Sequence, residues 1–406
     1  MTKEEISDAL NMLSDSVIEE TDRLRGQKNH IRVQKKWLRW IAAAAVFVLA
    51  AFAGGAALLQ NVLSGAPAQL PMLTISQNSG GCGFEGYMAY DISELTGENP
   101  WKEGAKASVL PVYKNPVTYN EQHIAAGMDY EKMRTRLTET ACRMGLDPNT
   151  LTITDNAPDE ETKAKIEKRL ETAGDIPEGY FDPTMLMIET EGMTITVDSS
   201  LTVDIRFEPA VQLPQEYRFT QTAYQELYKT AQYLKTCYHG LMGFQNPKLD
   251  LYGGDYDTSL YQRYKISFYD AAGSATEQLL NYCFNSAEFM ANEEGALWIV
   301  RLFQYDLSQK VGDYPIITEA QARELLEAGN YITSVPYPMP GLKYVKKCEL
   351  IYRTGESELY YMPYYHFYVE LPQLEQDGMK TYGGYYVPAV KPEYIEDMPV
   401  WDGRFN

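Results

Sequence analysis

Histidine and cysteine are scarce in this sequence, and neither is grouped. The histidines are His30, His123, His239 and His366. None sits in a GxSxG or similar frame, so a Ser/His/Asp triad has no foothold. His366 lies in an aromatic run and His239 at a helix C-terminus, and both read as structural. The cysteines Cys82, Cys142, Cys237, Cys283 and Cys348 form no CxxC or CxH pattern, which excludes the usual zinc spacings. Small buried hydrophobes suit them best, with a disulfide left open. Cys237 and His239, two apart on a helix, turn to different faces. Positive charge is also short: 36 Lys and Arg against 56 Asp and Glu give a net charge of −20. Nucleic acid would be repelled. Among so many acids nothing marks out a glycosidase-type pair. Gly253 to Asp257 (GGDYD) has calcium-binding oxygens without EF-hand positions and reads as a flexible loop. Gly383-Gly384 lacks the frame of a phosphate loop and reads as a turn or bulge. No catalytic residue, cofactor or metal site is expected.

Tyrosine is plentiful, with 32 Tyr against 13 Phe. Its ring is buried readily but its hydroxyl needs a partner, so it suits half-buried sheet faces first and sugar or peptide binding second. The stretch from Trp40 to Leu59 has no charge, at the length a helix needs to cross a bilayer. Seven bases from Arg23 to Arg39 precede it without an acid, and no charge follows until Glu85. This asymmetry predicts a transmembrane helix over 37–60, with the N-terminus cytoplasmic, the C-terminal region extracytoplasmic and the protein in the cell membrane. Trp37, Arg39 and Trp40 would sit at the interface. A cleaved signal peptide ending near Ala66-Pro67-Ala68 is the rival, but its leader and apolar run would both be too long. In the tail, 1–36, Ile6, Leu10, Leu13 and Val17 share one helical face. A tail this short cannot bury that face alone, so it needs a protein partner, the membrane surface or a second copy.

Residues 61–109 are rich in Gly, Ser, Pro and Asn and read as a stalk. Beyond them, helix-then-strands recurs three times, over 110–212, 213–312 and 313–406. The first has helices at 129–144 and 159–172 and strands at 185–190, 193–198 and 201–207. The second has a helix at 220–239, strands near 261–269 and 296–305, and between them a strand-like run around Tyr282 to Phe289. The third opens with a Thr318–Gln321 capping box and closes with strands at 344–353, 359–371 and 381–387. The expected fold class is α+β: an N-terminal transmembrane helix followed by tandem helix-plus-antiparallel-sheet modules.

The third stretch carries a resemblance. YPIITEAQARELLEAGNY, KYVKKCELIYR and ELYYMPYYHFYVEL, with the run Pro363-Tyr364-Tyr365-His366-Phe367-Tyr368, resemble PepSY-type modules. They also look like the anchored YycH and YycI regulators of Gram-positive two-component kinases. The resemblance implies regulation by protein contact in the membrane or envelope, with no catalytic residues to carry over. The expected function is thus a non-catalytic regulatory or sensory protein. The alternative is a protein that binds or hydrolyses cell-wall glycan.

Overall fold

Alternation in the sequence shows which face of a strand is buried, and in this fold it leads to one large curtain of strands. The computed structural model describes residues 70–75, 86–102, 108–170, 175–217, 219 and 224–403. In chain order the elements begin with β1 (Gly86–Ala89), β2 (Val109–Lys114), α1 (Tyr130–Arg143), β3 (Thr154–Asp155) and α2 (Glu160–Leu170). There follow β4 (Met185–Thr190), β5 (Met193–Asp198), β6 (Val203–Val211), α3 (Tyr224–Cys237) and the short α4 (His239–Met242). Next come β7 (Pro247–Tyr256), β8 (Gln262–Asp270), α5 (Ala275–Phe284), β9 (Ser286–Ala291) and β10 (Leu297–Leu302). The last are β11 (Lys310–Pro315), α6 (Glu319–Glu327), β12 (Ile332–Thr333), β13 (Val345–Tyr352), β14 (Tyr360–Tyr361), β15 (Pro363–Glu370) and β16 (Lys380–Pro388).

Eight strands form one antiparallel sheet in the order β3-β4-β5-β6-β10-β9-β8-β7. On β6, Val203, Ile205 and Phe207 point into the main core while Asp204 and Arg206 point away, the period of two that a pleated strand imposes. Helix α1 covers this face with Met133, Leu137 and Ala141, and α3 with Leu227, Ala231 and Leu234. Both sets follow the three-to-four spacing of an amphipathic helix. Asp129 caps α1 by accepting from the Lys132 amide at 3.0 Å, and Gly145 ends it with φ +81°. Between β5 and β6, Asp198 accepts from the amides of Ser200 and Thr202 at 2.9 and 3.1 Å, which sets the hairpin turn.

A second sheet runs β1-β16-β15-β13, with β12 also on β16. Helices α5 and α6 pack on it through Leu279, Phe284, Ala322 and Leu326. The Thr318–Gln321 capping box is present, and α5 carries another at Ser274–Glu277. The third sheet is β11-β2-β14.

The tandem arrangement expected from the sequence is therefore corrected. The fold is mostly antiparallel β, with three sheets and six helices among the described residues. Strands cross the expected limits: β6 pairs with β10, β2 with β11 and β14, and β1 with β16. Residues 70–406 form one compact unit. The physical reason is that burial pattern reveals a strand's faces and not its hydrogen-bonding partner. No helix among the described residues is long and apolar enough to cross a membrane. The span at 37–60 lies outside the described residues, and the single-pass, cell-membrane placement is not supported and is set aside.

The expected loop at Gly253–Asp257 is also corrected, because it belongs to β7 and its edge. Here Thr96 donates its amide to the Gly253 carbonyl at 2.9 Å. The strap 91–98 lies so close that a Cβ at Gly254 would overlap the Glu94 carbonyl oxygen, at a residue with φ +94°. Gly254→Ala should cost about 2–4 kcal/mol, from positive φ plus overpacking. Gly145→Ala, with positive φ and open space around it, should cost about 1 kcal/mol. Urea denaturation compares the two, and equal losses would contradict the close approach.

Candidate functional site

The strap 91–98 and the β7–β8 hairpin bring together tyrosines that are distant in sequence. Tyr90 and Tyr256 meet edge to face at 5.5 Å, and Tyr224 of α3 meets Tyr264 of β8 at 5.7 Å. Tyr228 lies one turn further along α3 and is 50% exposed; Tyr90 is 48% exposed. The Glu94 carboxylate acts on the hydroxyls of Tyr256 and Tyr264, and Glu98 and Asp250 act on Tyr224. In each case burial, first, and these negative charges, second, push the phenol up. The result is two tyrosine pairs, with Tyr228 beside the second, brought near one another by the β7–β8 hairpin and rimmed by acids.

On the other face of the large sheet from α1 and α3, a polar layer follows the register. Across the large sheet Asp204, Arg301, Glu288, Ser267 and Asp250 are successive partners. Arg301 grips Asp204 with two bonds of 2.7 Å. Tyr252 donates to Glu288 at 3.1 Å. In the second sheet Glu349, His366 and Tyr386 are partners in the same way. Lys347 pairs with Glu349 at 2.8 Å, and Tyr368 donates to the same carboxylate at 3.3 Å. Asp250, on the edge strand β7 at the end of the row, accepts one hydrogen bond among the described residues, from the Glu98 amide at 2.7 Å. Burial, helped by the Glu349 and Glu98 charges and opposed by that amide and by Lys347, pushes its carboxyl up to about 6.

The expected site residues fall as follows. Ile6, Leu10, Leu13, Val17, Trp37, Arg39 and Trp40 lie outside the described residues. His366 is buried against Tyr386 with ring centroids 4.4 Å apart, and burial pushes it down to about 3. It is held neutral, as its reading as a packing residue requires. His239 is exposed and opens α4 instead of closing α3. His123 lies 3.9 Å from Glu178. Cys283 and Cys348 are internal, and burial pushes the Cys283 thiol up to about 12. Cys142 and Cys237 are exposed, against expectation. Asp257 cannot serve a cation freely, since it accepts from the amides of Ser259 and Tyr261 and pairs with Arg263 at 2.7 Å. Gly383-Gly384 sits inside β16, where a Cβ at Gly384 would lie 3.0 Å from His366 Nε2 and from Ser334 Oγ. The tyrosine face itself was missed in the sequence, where only the abundance of tyrosine signalled it.

No protein-family model matches the chain, and a search of curated proteins returns no match.

The buried carboxyl has a measurable consequence. Folding raises the pKa of Asp250 from its ordinary 3.8 to about 6. Its stabilising contribution is therefore complete below about pH 4 and is lost as pH rises through about 6, a change of about 3 kcal/mol. Asp250→Asn keeps the oxygen that accepts from Glu98 and cannot ionise. Denaturation from pH 4 to 7 should show the variant gaining on the native protein by about 3 kcal/mol. Parallel curves would contradict the account.

Proposed function

We propose that the protein is a regulatory or sensory protein that acts by binding another protein, and that the five-tyrosine face is its contact surface. One observation carries this reading: the exposed Tyr90, Tyr224 and Tyr228 and the partly buried Tyr256 and Tyr264 converge from a strap, a hairpin and a helix. Tyrosine is over-represented at interface hot spots, because it offers a large rigid ring and a hydroxyl at small entropic cost. The rim acids Glu94 and Glu98, on a chain of net charge −20, favour a partner with a basic patch, which speeds encounter and selects among partners. The resemblance of 313–371 to PepSY-type and YycH-like regulators points to the same class of activity. The run Pro363–Tyr368 that carries it lies in β15 and is mostly buried, so in this chain those residues serve packing.

Glycan binding is the second reading, since exposed tyrosine rings also stack on sugars. The ring pairs stand at 81° and 77° to each other. That geometry presents edges and hydroxyls and not a coplanar platform, and it favours protein contact.

A photo-crosslinking residue placed at Tyr228 or Tyr90 in the native cell, with a control at Glu167 on α2, tests this. A saturable partner should crosslink from the face and not from the control. Tyr90→Ala and Tyr228→Ala should each weaken its binding by about 1–2 kcal/mol, and added salt should weaken it further. Equal labelling from Glu167, or retention of polysaccharide in place of protein, would overturn the proposal.

A further inference from the structure

Helix α1 breaks its own pattern. Its inward stripe runs Met133, Leu137, Thr140 and Ala141, and Arg136 lies in the same stripe, only 6% exposed. A buried guanidinium ordinarily has a carboxylate beside it, because an unpaired charge in the interior is costly. Arg136 has no ion pair and no side-chain hydrogen bond among the described residues, and its Nε is fully enclosed without a partner. Burial, and then the like charge of Arg143, push the guanidinium down to about 10, which leaves it charged at neutral pH. A residue that violates the local rule without visible compensation is where a ligand is expected to supply the missing charge.

Arg136 lines a cavity of about 410 Å³, within the size range of small-molecule sites. The walls come from α1, from Leu201 in the β5–β6 turn and from Tyr305 to Leu307 after β10. The other cation of the cavity, Lys132, is already held by Asp306 at 2.7 Å and Asp129 at 3.5 Å. Glu131 and Glu139 also line the cavity and form no ion pair among the described residues. Glu139 is one helical turn from Arg136 and acts on it electrostatically without touching it. One cavity therefore holds a cation without a bonded partner, two exposed acids, Glu131 and Glu139, on the same helix, and an apolar patch of Leu201, Tyr305 and Leu307 within otherwise polar walls. The complement of that arrangement carries a carboxylate and an ammonium close together beside an apolar group.

We propose that this cavity binds a free α-amino acid with an apolar side chain. Its carboxylate is held by Arg136, its ammonium faces Glu139 and Glu131, and its side chain lies against Leu201, Leu307 and the Tyr305 ring. Guanidinium and carboxylate match as a planar two-bond pair, the strongest of the ordinary charge-assisted contacts. The site shares no residue with the tyrosine face, so each stands or falls separately.

Calorimetry and thermal unfolding of the full chain test it with four probes: L-leucine, L-phenylalanine, isocaproate (leucine without its amine) and isoamylamine (leucine without its carboxylate). At least one of the two amino acids should bind and raise the unfolding temperature. Isocaproate and isoamylamine should bind about tenfold to a hundredfold more weakly, the effect of losing one charged hydrogen-bonding group. Arg136→Met should abolish binding while leaving the unliganded protein as stable or more so, since it removes a buried unpaired charge. If that variant misfolds, Glu139→Gln, an exposed change, still weakens the amino acid and leaves isocaproate unaffected. Failure of both amino acids to bind, equal affinity for leucine and isocaproate, or native affinity in folded Arg136→Met would each overturn the proposal.

Discussion

A buried tyrosine brings a donor into the core that must find an acceptor, and the architecture depends on meeting that demand many times over. Tyr352 donates to the Pro111 carbonyl at 2.9 Å, Tyr314 to that of Pro71 at 2.8 Å and Tyr361 to the Asn115 side chain at 2.8 Å. Tyr365 reaches Ile317 and Tyr385 reaches Tyr337, each at 2.9 Å. Most of these acceptors lie on loops or on other sheets. Each ring thus packs one layer while its hydroxyl ties down another, a task phenylalanine cannot perform. Among the described tyrosines Tyr364 is an exception: its hydroxyl is buried without a hydrogen bond. The same residue type, where α3, the strap and the β7–β8 hairpin leave it uncovered, makes the proposed contact face.

The polar layer between the two larger sheets obeys a related constraint. A charge can be enclosed if its partners are fixed by register, and the strands supply that fixity. Arg301 and Asp204 hold each other where the row is still partly exposed, with side chains 37% and 26% accessible. Further in, Glu288 depends on Tyr252, and Asp250 depends on one backbone amide and on its proton. His366 solves the same problem by staying neutral. Asp250 and His366 are thus the two groups of these rows that enclosure pushes toward their neutral forms.

Much of the local structure was legible in the sequence. Helices α1 and α6 announced themselves by capping residues and apolar spacing, and β4, β5 and β6 by alternation. Strand β7 was not legible, because Gly253-Gly254-Asp255 carries loop chemistry that the approach of Glu94 turns into a requirement of the strand. Helix α5 was missed although Ser274 and Glu277 spell its capping box, since the aromatic run after it suggested strand. Strand partners were out of reach because pairing is decided by tertiary competition and leaves no local mark. For the sites, tyrosine abundance was plain, but which rings stay uncovered depends on that pairing. Arg136 could have been noticed as a cation on an apolar stripe, whereas nothing local in the sequence joins Asp204, Glu288 and Arg301, which only strand pairing brings into one row.

The pairing of Gly86–Ala89 with Lys380–Gly383 has a consequence for how the chain comes into being. As the polypeptide emerges during synthesis, β1 waits for almost three hundred residues before its partner exists. Strands β2 and β14 are nearly as far apart in sequence, while β4, β5 and β6 can close at once. The growing chain therefore passes through a long interval in which the large sheet is half formed and the second sheet has not begun. Its free edges are open to neighbouring chains during that interval, and the yield of native protein depends on how well the cell shields them.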